Sequence, residues 1–333
     1  MIDDSIVSST PKVSVVIPAF NASKTIKATL KSVIDQSFED FEIIVINDGS
    51  TDDTLEVVNE IGDQRIKTFT YSNGGLATAR NRGISHATGD YVAFLDADDL
   101  WTKDKLESQV EALENNSDAG LAYSLSYYLN EDGKSYHIGS KLSPEGDVYA
   151  HILVSNFLDS GSSPLVRKTV IDSIGLFDST ISGAADWDYW IRIAAKWPFV
   201  LIPERQIFYR QSGSSMSSRV DFMESCIISV VHKAFENAPD EYKYLKKRSL
   251  AEAYRYSAQL YITRSTDYHG LWRAIGKLSQ SAQSYPPIIF QSAFRKIFVK
   301  ILVSLLLSPS TAKAVFHKIS QAKAIPSNFS IID

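Results

Sequence analysis

The first hundred residues alternate short apolar runs with longer stretches whose apolar residues are three or four positions apart. Four runs are rich in β-branched and aromatic residues, as strands are: VSVVIP, FEIIVIND, IKTFTY and DYVAFL. After the first run, Ile26, Leu30 and Val33 fall on one face of a predicted helix, with Asn21 or Ser23 as its cap. This alternation predicts an α/β fold with a mostly parallel central sheet, in which ligands bind outside the carboxyl ends of the strands.

The pattern loosens after the fourth run and becomes helical towards the end of the chain. The middle of the chain has further predicted elements, with strands at 121–129, 162–166 and 206–210 and helices at 103–115, 168–174 and 186–195. Beyond Val220 the apolar positions keep a helical spacing. We therefore expect a flexible leader over residues 1–10, an α/β domain over 11–218 and a helical C-terminal region over 219–333.

The composition limits the classes of protein to which the chain can belong. The 333 residues are 44% apolar, enough to bury a sizeable core, and the net charge of −5 argues against nucleic acid as a partner. The lone Cys226 supports neither a disulfide framework nor a cysteine metal site, which fits a reducing compartment such as the cytoplasm. The acidic, polar start of the chain lacks the pattern of a secretory signal.

Charge is distributed unevenly along the chain. From Ser281 onward six Lys or Arg residues stand against one acid, so this tail carries +5 and the rest of the chain −10. The apolar run 297–307 contains Lys300 and is shorter than the roughly 20 residues that span a bilayer. The tail is thus a candidate for peripheral contact with an anionic surface at the inner face of the cell membrane. The alternative is a helix packed on the body with its lysines in solvent.

Three acids follow the fourth predicted strand in YVAFLDADDLW: Asp96, Asp98 and Asp99. On an extended segment Asp96 and Asp98 point to the same side, because alternate residues share a face. Carboxylate oxygens grouped at a strand end suit a hard divalent ion, Mg²⁺ or Mn²⁺. The alternative is a solvated acidic turn in which Asp99 caps the helix near Lys103.

Two common nucleotide-binding signatures are absent from the sequence. The turn after the first strand reads PAFNAS, without the glycines of a dinucleotide fingerprint, and there is no GxxxxGK[ST] phosphate loop. Hydride transfer and ordinary nucleotide hydrolysis are therefore disfavoured.

Four segments in order resemble the inverting glycosyltransferases of family 2, which have the GT-A fold. They are VSVVIPAFNASKTIKATLKSVIDQSFEDFEIIVINDGSTDDT, GGLATARNRGI, GDYVAFLDADDLW and IGLFDSTISGAADWDYWIRIA, and the resemblance covers residues 11–218. It implies metal-assisted transfer of a sugar from a nucleotide-sugar, with UDP as the expected nucleotide, to an acceptor hydroxyl. The implied acceptor is a saccharide or a lipid-linked saccharide in surface polysaccharide assembly.

The resemblance also implies roles for particular residues. The nucleotide-sugar site would consist of Pro18, Ala19, Phe20, Asn21, Asp48, Arg80, Asp96 and Asp98. Within it Asp48 would accept a hydrogen bond from the base, and Asp98 and Asp99 would hold the Mn²⁺ or Mg²⁺ ion. For Arg80, the alternative is an ordinary arginine on the surface of a helix.

The same resemblance makes Asp186 the general base. A carboxylate within hydrogen-bond reach can take the proton of a sugar hydroxyl as that hydroxyl attacks the anomeric carbon. The alternative role is a helix cap, since Asp186 precedes WDYWIRIA. Asp188 is the competing candidate, although the geometry of one helical turn should point it elsewhere.

Two positions depart from the family pattern. Ala185 stands where a Glu often precedes the base, and Gln211 and Ser212 stand where a His often completes the metal shell. These departures keep open a catalytically impaired nucleotide-sugar-binding or scaffold protein of the same fold. Nucleotidyl transfer is a further alternative, but it would need a basic, glycine-rich loop after the first strand, which PAFNASK does not provide.

Overall fold

The computed structural model describes residues 10–130, 135–139, 143–211, 219–264, 267–319 and 323–324. Within these ranges the strands β1 to β10 are, in chain order, Val13–Ala19, Phe41–Asn47, Ile66–Thr70, Tyr91–Phe94, Leu100–Trp101, Leu121–Leu129, Ser135–Ile138, Leu165–Arg167, Phe199–Arg210 and Lys323–Ala324. The helices α1 to α12 in the same ranges are Ile26–Ile34, Thr54–Asn59, Leu76–His86, Lys105–Asn115, Tyr149–Val154, Lys168–Ile174, Ala185–Ala194, Val220–Asn237, Lys246–Arg264, Tyr268–Ser284, Ser292–Leu307 and Pro309–Ile319. Two 3-10 helices lie at Asp240–Leu245 and Pro286–Phe290.

Four parallel strands form the first half of the central sheet, in the order β3, β2, β1, β4. Ala19 at the end of β1 lies beside Asn47 at the end of β2, and Val16 lies beside Phe94 at the end of β4. The strands therefore end at one edge of the sheet, and the loops that follow them meet there. The predicted parallel arrangement of these strands is confirmed.

The second half of the sheet is mostly antiparallel. Strand β8 joins β4 to β6, and β6 pairs antiparallel with β8 at its start and with β7 at its end. Strand β9 runs parallel to β6 along its whole length and bends across to pair with the short β5. Because β9 pairs with both β6 and β5, it extends from the second half of the sheet to the acidic segment between β4 and β5.

Apolar side chains cover both faces of the sheet. On β1, Val13, Val15 and Ile17 pack with α1 and α4, whereas Val16 faces the layer that contains α5, α7 and α8. Helix α3 packs so closely on this strand that a Cβ at Gly83 would lie 2.1 Å from a methyl carbon of Val16. Glycine at this position is what allows the helix that follows β3 to approach the sheet.

Most of the described chain from Val220 to Ile319 is helical, which confirms the predicted helical extension. Helix α8 packs against the sheet layer through Ile227 and Val230, and α9, α10 and α11 share a second apolar cluster that includes Tyr261 and Leu271. No described helix combines the length and the apolar character that crossing a lipid bilayer requires. Of the predicted leader, only Thr10 belongs to the described residues.

Two local predictions were wrong. Helix α1 begins after Thr25, and no side chain caps it, so neither Asn21 nor Ser23 has the predicted capping role. The strand predicted from Ser162 begins only at Leu165. Ser162 instead turns its hydroxyl towards the acidic cluster, a tertiary contact that a local pattern does not carry.

Candidate active site

The loops after β1 and β2 are tied together at the carboxyl edge of the sheet. The Asn21 N–H donates to Ser50 Oγ at 3.0 Å, and the Asn21 side-chain oxygen accepts from the Thr51 N–H at 2.8 Å. Asn21 has a φ of 49°, a left-handed conformation that asparagine tolerates better than most residues. The predicted pocket residue Asn21 therefore joins the two loops that would face a ligand.

The other predicted pocket residues on this loop differ in exposure. Pro18 and Ala19 are the last residues of β1 and are buried. Phe20 follows them and is 51% exposed. An exposed aromatic ring offers a flat surface on which a ligand ring can stack. Phe20 is therefore the residue of this group that is free to contact a base or sugar.

Asp48, after β2, is engaged by the protein itself. Its carboxylate accepts hydrogen bonds from the N–H groups of Gly74 at 3.0 Å and Gly75 at 2.9 Å, and from Arg82 Nη1 at 2.6 Å. The side chain is only 4% exposed. In this arrangement Asp48 holds the loop that leads into α3, and a base would have to displace one of these donors. The predicted hydrogen bond from the base to Asp48 stays a prediction.

Asp96 pairs with Arg80 of α3. Arg80 Nη2 lies 2.7 Å from Asp96 Oδ1, and the arginine side chain is 3% exposed while that of Asp96 is 24% exposed. Burial excludes the alternative of a surface arginine. A guanidinium in a fixed place orients one oxygen of Asp96 and leaves the carboxylate open to the cleft.

The pocket that holds Arg80 is closed by a glycine. A Cβ at Gly161 would lie 2.5 Å from Arg80 Nη2, and the ring of Phe177 lies 5.5 Å from the guanidinium carbon. Among the described residues, none accepts a hydrogen bond from Arg80 Nε, although this atom is buried. Arg80 also acts on Asp186, because its positive charge opposes the rise in the pKa of that carboxyl. One arginine thus connects two of the predicted site residues.

Asp98 is the member of the acidic cluster whose carboxylate has the fewest protein partners. No other described residue donates a hydrogen bond to its carboxylate, whereas Asp96 and Asp99 both have donors. Burial, and then the negative charge of Asp96, raise the pKa of Asp98 to about 6. A cation placed at this carboxylate would remove the repulsion that raises its pKa.

Asp99 is enclosed by the protein. The hydroxyls of Ser160 and Ser162 donate to Oδ2 at 3.0 and 2.6 Å, and the Arg210 N–H donates to Oδ1 at 2.9 Å. The side chain is 0% exposed, and burial, followed by the charge of Asp98, raises its pKa well above the usual range. This placement counts against the prediction that Asp99 is a metal ligand, because both oxygens face protein donors.

Asp186 lies in the first turn of α7 and lines a cavity of about 860 Å³. Burial raises its pKa above the usual range of an aspartate. The residue before the helix is Ala184, which has a left-handed backbone at φ 61° and makes no side-chain cap. A left-handed alanine costs about 1–2 kcal/mol, and such strain is typical of functional sites. The predicted cap by Asp186 is absent, since Ala184 occupies that position.

The competing candidate Asp188 points away from the cavity. Lys233 Nζ lies 2.7 Å from Oδ1 and Arg192 Nε lies 3.0 Å from Oδ2. The side chain is 5% exposed, so Asp188 anchors α7 to α8. The expectation that one helical turn would point Asp188 elsewhere is confirmed, and Trp190, at 0% exposure, is a core residue.

The cavity wall opposite Asp186 comes from distant parts of the chain that the sequence analysis did not single out. Helix α9 contributes one polar face at helical spacing: Arg248, Glu252, Arg255, Tyr256 and Gln259. From the sheet side come Tyr128, Asp159 and Tyr209, and the Tyr128 hydroxyl donates to Asp159 at 3.1 Å. Aromatic rings interleaved with polar groups are suited to a sugar-sized ligand.

Arg210 is a further residue that the sequence analysis missed. Its N–H binds Asp99, and its Nε donates to the backbone oxygen of Asp98 at 2.9 Å. Its positive charge also opposes the rise in the pKa of Asp98. The sequence could have indicated Arg210 through its position, because it directly precedes Gln211, and the family pattern often has a metal-binding His at the positions of Gln211 and Ser212. Gln211 is exposed, and Ser212 lies outside the described residues.

The acidic cluster has few protein ligands to offer a divalent ion. Within the described ranges no three His, Cys, Asp or Glu residues are grouped so that they could hold a metal on their own. Asp98, whose carboxylate has no donor from another described residue, would supply one oxygen ligand, and Asp96 is partly exposed two residues before it. The site fits an ion that takes its remaining ligands from water or a bound diphosphate, as Mg²⁺ commonly does.

Comparison with protein families identifies the chain. The family model described as "Glycosyltransferase like family 2" matches residues 14–260, well over half of the 333 residues. The matched region contains the strand edge, the acidic cluster, Asp186 and most of α9.

Two curated relatives carry names that describe an activity. An uncharacterized glycosyltransferase of Rickettsia conorii is 37% identical over 194 residues, which are 56% of this chain and 30% of that protein. The Escherichia coli UDP-Glc:alpha-D-GlcNAc-diphosphoundecaprenol beta-1,3-glucosyltransferase WfaP is 40% identical over 121 residues, which are 36% of this chain and 47% of that protein. The chain spans under half of the length of these two relatives.

The architecture has a counterpart among solved structures. Residues 1–349 of S. aureus TarS, in complex with UDP-GlcNAc, align with a TM-score of 0.60 at 18% identity, covering 93% of this chain and 92% of that chain. At this identity the likeness concerns the fold alone. It confirms the predicted GT-A fold with C-terminal helices.

Proposed function

Because the chain belongs to the glycosyltransferase-like family 2, we propose that it transfers a sugar from a nucleotide-sugar to an acceptor hydroxyl with inversion at the anomeric carbon. The observation that carries this proposal is the pairing of Arg80 with Asp96 beside Asp186. One buried guanidinium pairs with a carboxylate of the strand edge and acts through its charge on the carboxylate of the cavity. The nucleotide-sugar and the acceptor hydroxyl would meet between these two carboxylates.

The proposed nucleotide site is the edge formed by the ends of β1, β2 and β4. Phe20 offers an exposed ring, Asn21 ties the two loops, and Asp96 presents an oxygen towards the cleft. For Asp48 we propose that its carboxylate accepts a hydrogen bond from the base. This bond would replace one of the hydrogen bonds that the carboxylate now accepts from the protein. The relative WfaP is named for UDP-Glc and the TarS structure holds UDP-GlcNAc, which supports UDP as the nucleotide.

Asp186 is the proposed general base. It takes the proton of the acceptor hydroxyl while that oxygen forms a bond to the anomeric carbon. The bond from this carbon to the diphosphate oxygen breaks at the same time, and its electron pair leaves with the diphosphate. A raised pKa suits this role, because a carboxylate that binds a proton more firmly is a stronger base.

We propose that Asp98 is the protein ligand of a Mn²⁺ or Mg²⁺ ion, with Asp99 as the enclosed residue that fixes the turn. When bound, such an ion neutralises the negative charge that grows on the departing diphosphate. Arg210 supplies a fixed positive charge beside the same turn. Hydrogen bonds from Ser160 and Ser162 to Asp99 keep the backbone of Asp98 in place.

The proposed acceptor is a saccharide or a lipid-linked saccharide in the assembly of a surface polysaccharide, bound in the cavity between α7 and α9. The name of WfaP, whose acceptor is a diphosphoundecaprenol-linked sugar, supports the lipid-linked class. We further propose a cytoplasmic protein that contacts the inner face of the cell membrane peripherally. No partner role for nucleic acid is proposed, given the net charge of −5.

The test is a transfer assay over a panel of UDP- and GDP-sugars with Mn²⁺ and simple saccharide acceptors. The expected result is release of the nucleoside diphosphate with one donor, and NMR of the product should show an inverted anomeric configuration. Retention of configuration would overturn the mechanism. Binding of UDP without transfer from any donor to any acceptor would instead favour the impaired, scaffold-type protein that Ala185 and Gln211 keep open.

A further inference from the structure

Helix α11 is buried along one side only. Phe294, Ile297 and Ile301 lie in the apolar cluster that α11 shares with α9 and α10. The rest of the helix exposes six large apolar side chains, each by 42 to 83%: Phe298, Val299, Leu302, Leu305, Leu306 and Leu307. We call these six residues the α11 face. Helix α12 also contacts α11, with Phe316 beside Lys300, and the α11 face stays exposed next to these contacts.

Five of the six exposed side chains, all but Leu307, fall within about 120° of one another around the helix axis. Val299, Leu302 and Leu306 are three and four residues apart, so they lie on one side of the helix, one above the other. Monomeric soluble proteins seldom expose a large contiguous apolar surface unless it contacts a partner or a membrane. The α11 face accordingly requires an occupant.

The apolar surface continues towards the cavity of Asp186. The 3-10 helix just before α11 exposes Ile289 by 41% and Phe290 by 76%. The next residue, Gln291, lines the cavity. An apolar surface therefore adjoins the cavity proposed for the acceptor.

The charge around this surface indicates the chemistry of the occupant. From residue 268 to residue 332 the chain has eight Lys or Arg and no Asp or Glu. On α11 itself, Arg295 and Lys296 are exposed, and Lys300 is half-buried. A second copy of the same surface would bring these like charges together across a two-fold interface, whereas anionic lipid headgroups would be attracted to them.

We propose that the α11 face, with Ile289 and Phe290, lies in the surface of an anionic lipid bilayer. The helix has 16 residues and so measures about 24 Å, which with its basic residues suits a helix lying in the interface rather than crossing it. The apolar side chains enter the acyl boundary and the basic side chains contact the headgroups. In combination with the proposed function, this places the mouth of the cavity at the surface where a lipid-linked acceptor would lie.

The test is co-sedimentation of the full chain with vesicles, without donor or acceptor. Wild-type protein should bind phosphatidylglycerol-containing vesicles better than phosphatidylcholine vesicles, and salt should weaken the binding because it screens the charges. Leu302→Asp with Leu306→Asp should lower the partition coefficient at least about tenfold. Leu176→Asp is the matched control, since Leu176 is 52% exposed away from this surface and its variant should bind as the wild type does.

A second pair of variants tests the charge component. Lys296→Glu should reduce binding to anionic vesicles, whereas Lys196→Glu, at an exposed lysine elsewhere, should leave it unchanged. Because Lys296 and Lys196 are exposed, their variants should fold, so the proposal can still be tested if the aspartate variants fail to fold. Absence of binding by the wild type, or equal binding to neutral and anionic vesicles, would overturn the proposal. A dimer that dissociates in Leu302→Asp/Leu306→Asp, without any vesicle binding, would assign the α11 face to a second copy instead.

The outcome is independent of the proposed reaction. Vesicle binding requires no nucleotide-sugar, and nucleotide binding in solution requires no vesicle. Absence of vesicle binding with retained nucleotide binding would contradict the membrane proposal alone. Vesicle binding without nucleotide binding would contradict the proposed function alone.

Discussion

The strand edge and the cavity of Asp186 are built in different ways. At the strand edge, each group follows a strand directly, and the loops are tied by hydrogen bonds such as those of Asn21 and Asp48. The cavity is assembled from β6, α7, β9 and α9, which lie far apart in the sequence. The edge is therefore a product of local chain geometry, whereas the cavity depends on how the C-terminal helices dock.

The two regions also differ in how they use charge and strain. The edge leaves one carboxylate, Asp98, without a compensating donor and uses an asparagine where the backbone is left-handed. The cavity holds Asp186 near a shared arginine and uses an alanine, Ala184, in the same backbone conformation. Under the proposed function, this difference fits an edge that receives a cation and a cavity in which a proton is transferred.

The largest expected effect is at the cavity. Asp186→Asn removes the proposed base and should lower turnover by about 10²–10⁴-fold. UDP affinity should change little, because the nucleotide site lies at the other region. Turnover measured with saturating nucleotide-sugar checks the prediction. Asp188→Asn is the control, because it weakens the ion pairs with Lys233 and Arg192 but keeps the proposed base. Unchanged turnover in Asp186→Asn would remove the proposed role.

The next largest effect should distinguish the roles of Asp98 and Asp99 at the strand edge. Asp98→Asn should lower Mn²⁺-dependent UDP affinity at least about tenfold, the size of effect seen even for residues that only support a metal site. Asp99→Asn should keep the Mn²⁺ dependence, since its contacts are the hydroxyls of Ser160 and Ser162 and the N–H of Arg210. Calorimetric titration of UDP with and without Mn²⁺ measures both. Equal losses in the two variants would restore Asp99 as a ligand.

A smaller effect should appear with pH. Asp98, with a pKa of about 6, must lose its proton to hold a cation, so Mn²⁺-dependent UDP affinity should fall as the pH drops from 7 to 5. The pKa of Asp186 is also raised, so turnover should fall on the acid side at a higher pH than an ordinary aspartate would give. Affinity measured without Mn²⁺ is the control for the first effect. A flat affinity profile in the wild type would contradict the assignment of Asp98.

The smallest effect concerns strain beside the base. Ala184→Gly should stabilise the fold by about 1 kcal/mol, because glycine adopts the left-handed conformation without the alanine penalty. Ala195→Gly, at the other end of α7 where the backbone is right-handed at φ −64°, should destabilise it by about 0.5–1 kcal/mol. Urea unfolding compares the two variants. A loss of stability in Ala184→Gly would show that the left-handed backbone is not strained.

Most of the strand edge could be predicted from the sequence, and little of the cavity could. The four apolar runs gave the parallel strands, so Asn21, Asp48 and Asp98 were placed at one edge by topology alone. The enclosure of Asp99 depends on Ser160 and Ser162, about 60 residues away, and the burial of Arg80 depends on Gly161. The polar face of α9 was visible as a helical spacing, but nothing local indicates that it faces Asp186.

The central claim is that donor and acceptor occupy separate regions that meet at Arg80. A crystal structure of Asp186→Asn with a UDP-sugar and Mn²⁺ tests it most directly, because the variant should bind the donor without consuming it. We predict the nucleotide at the ends of β1, β2 and β4, the ion on Asp98, and the sugar directed at residue 186. A nucleotide seated in the cavity beneath α9, or an ion held by Asp99, would contradict the account.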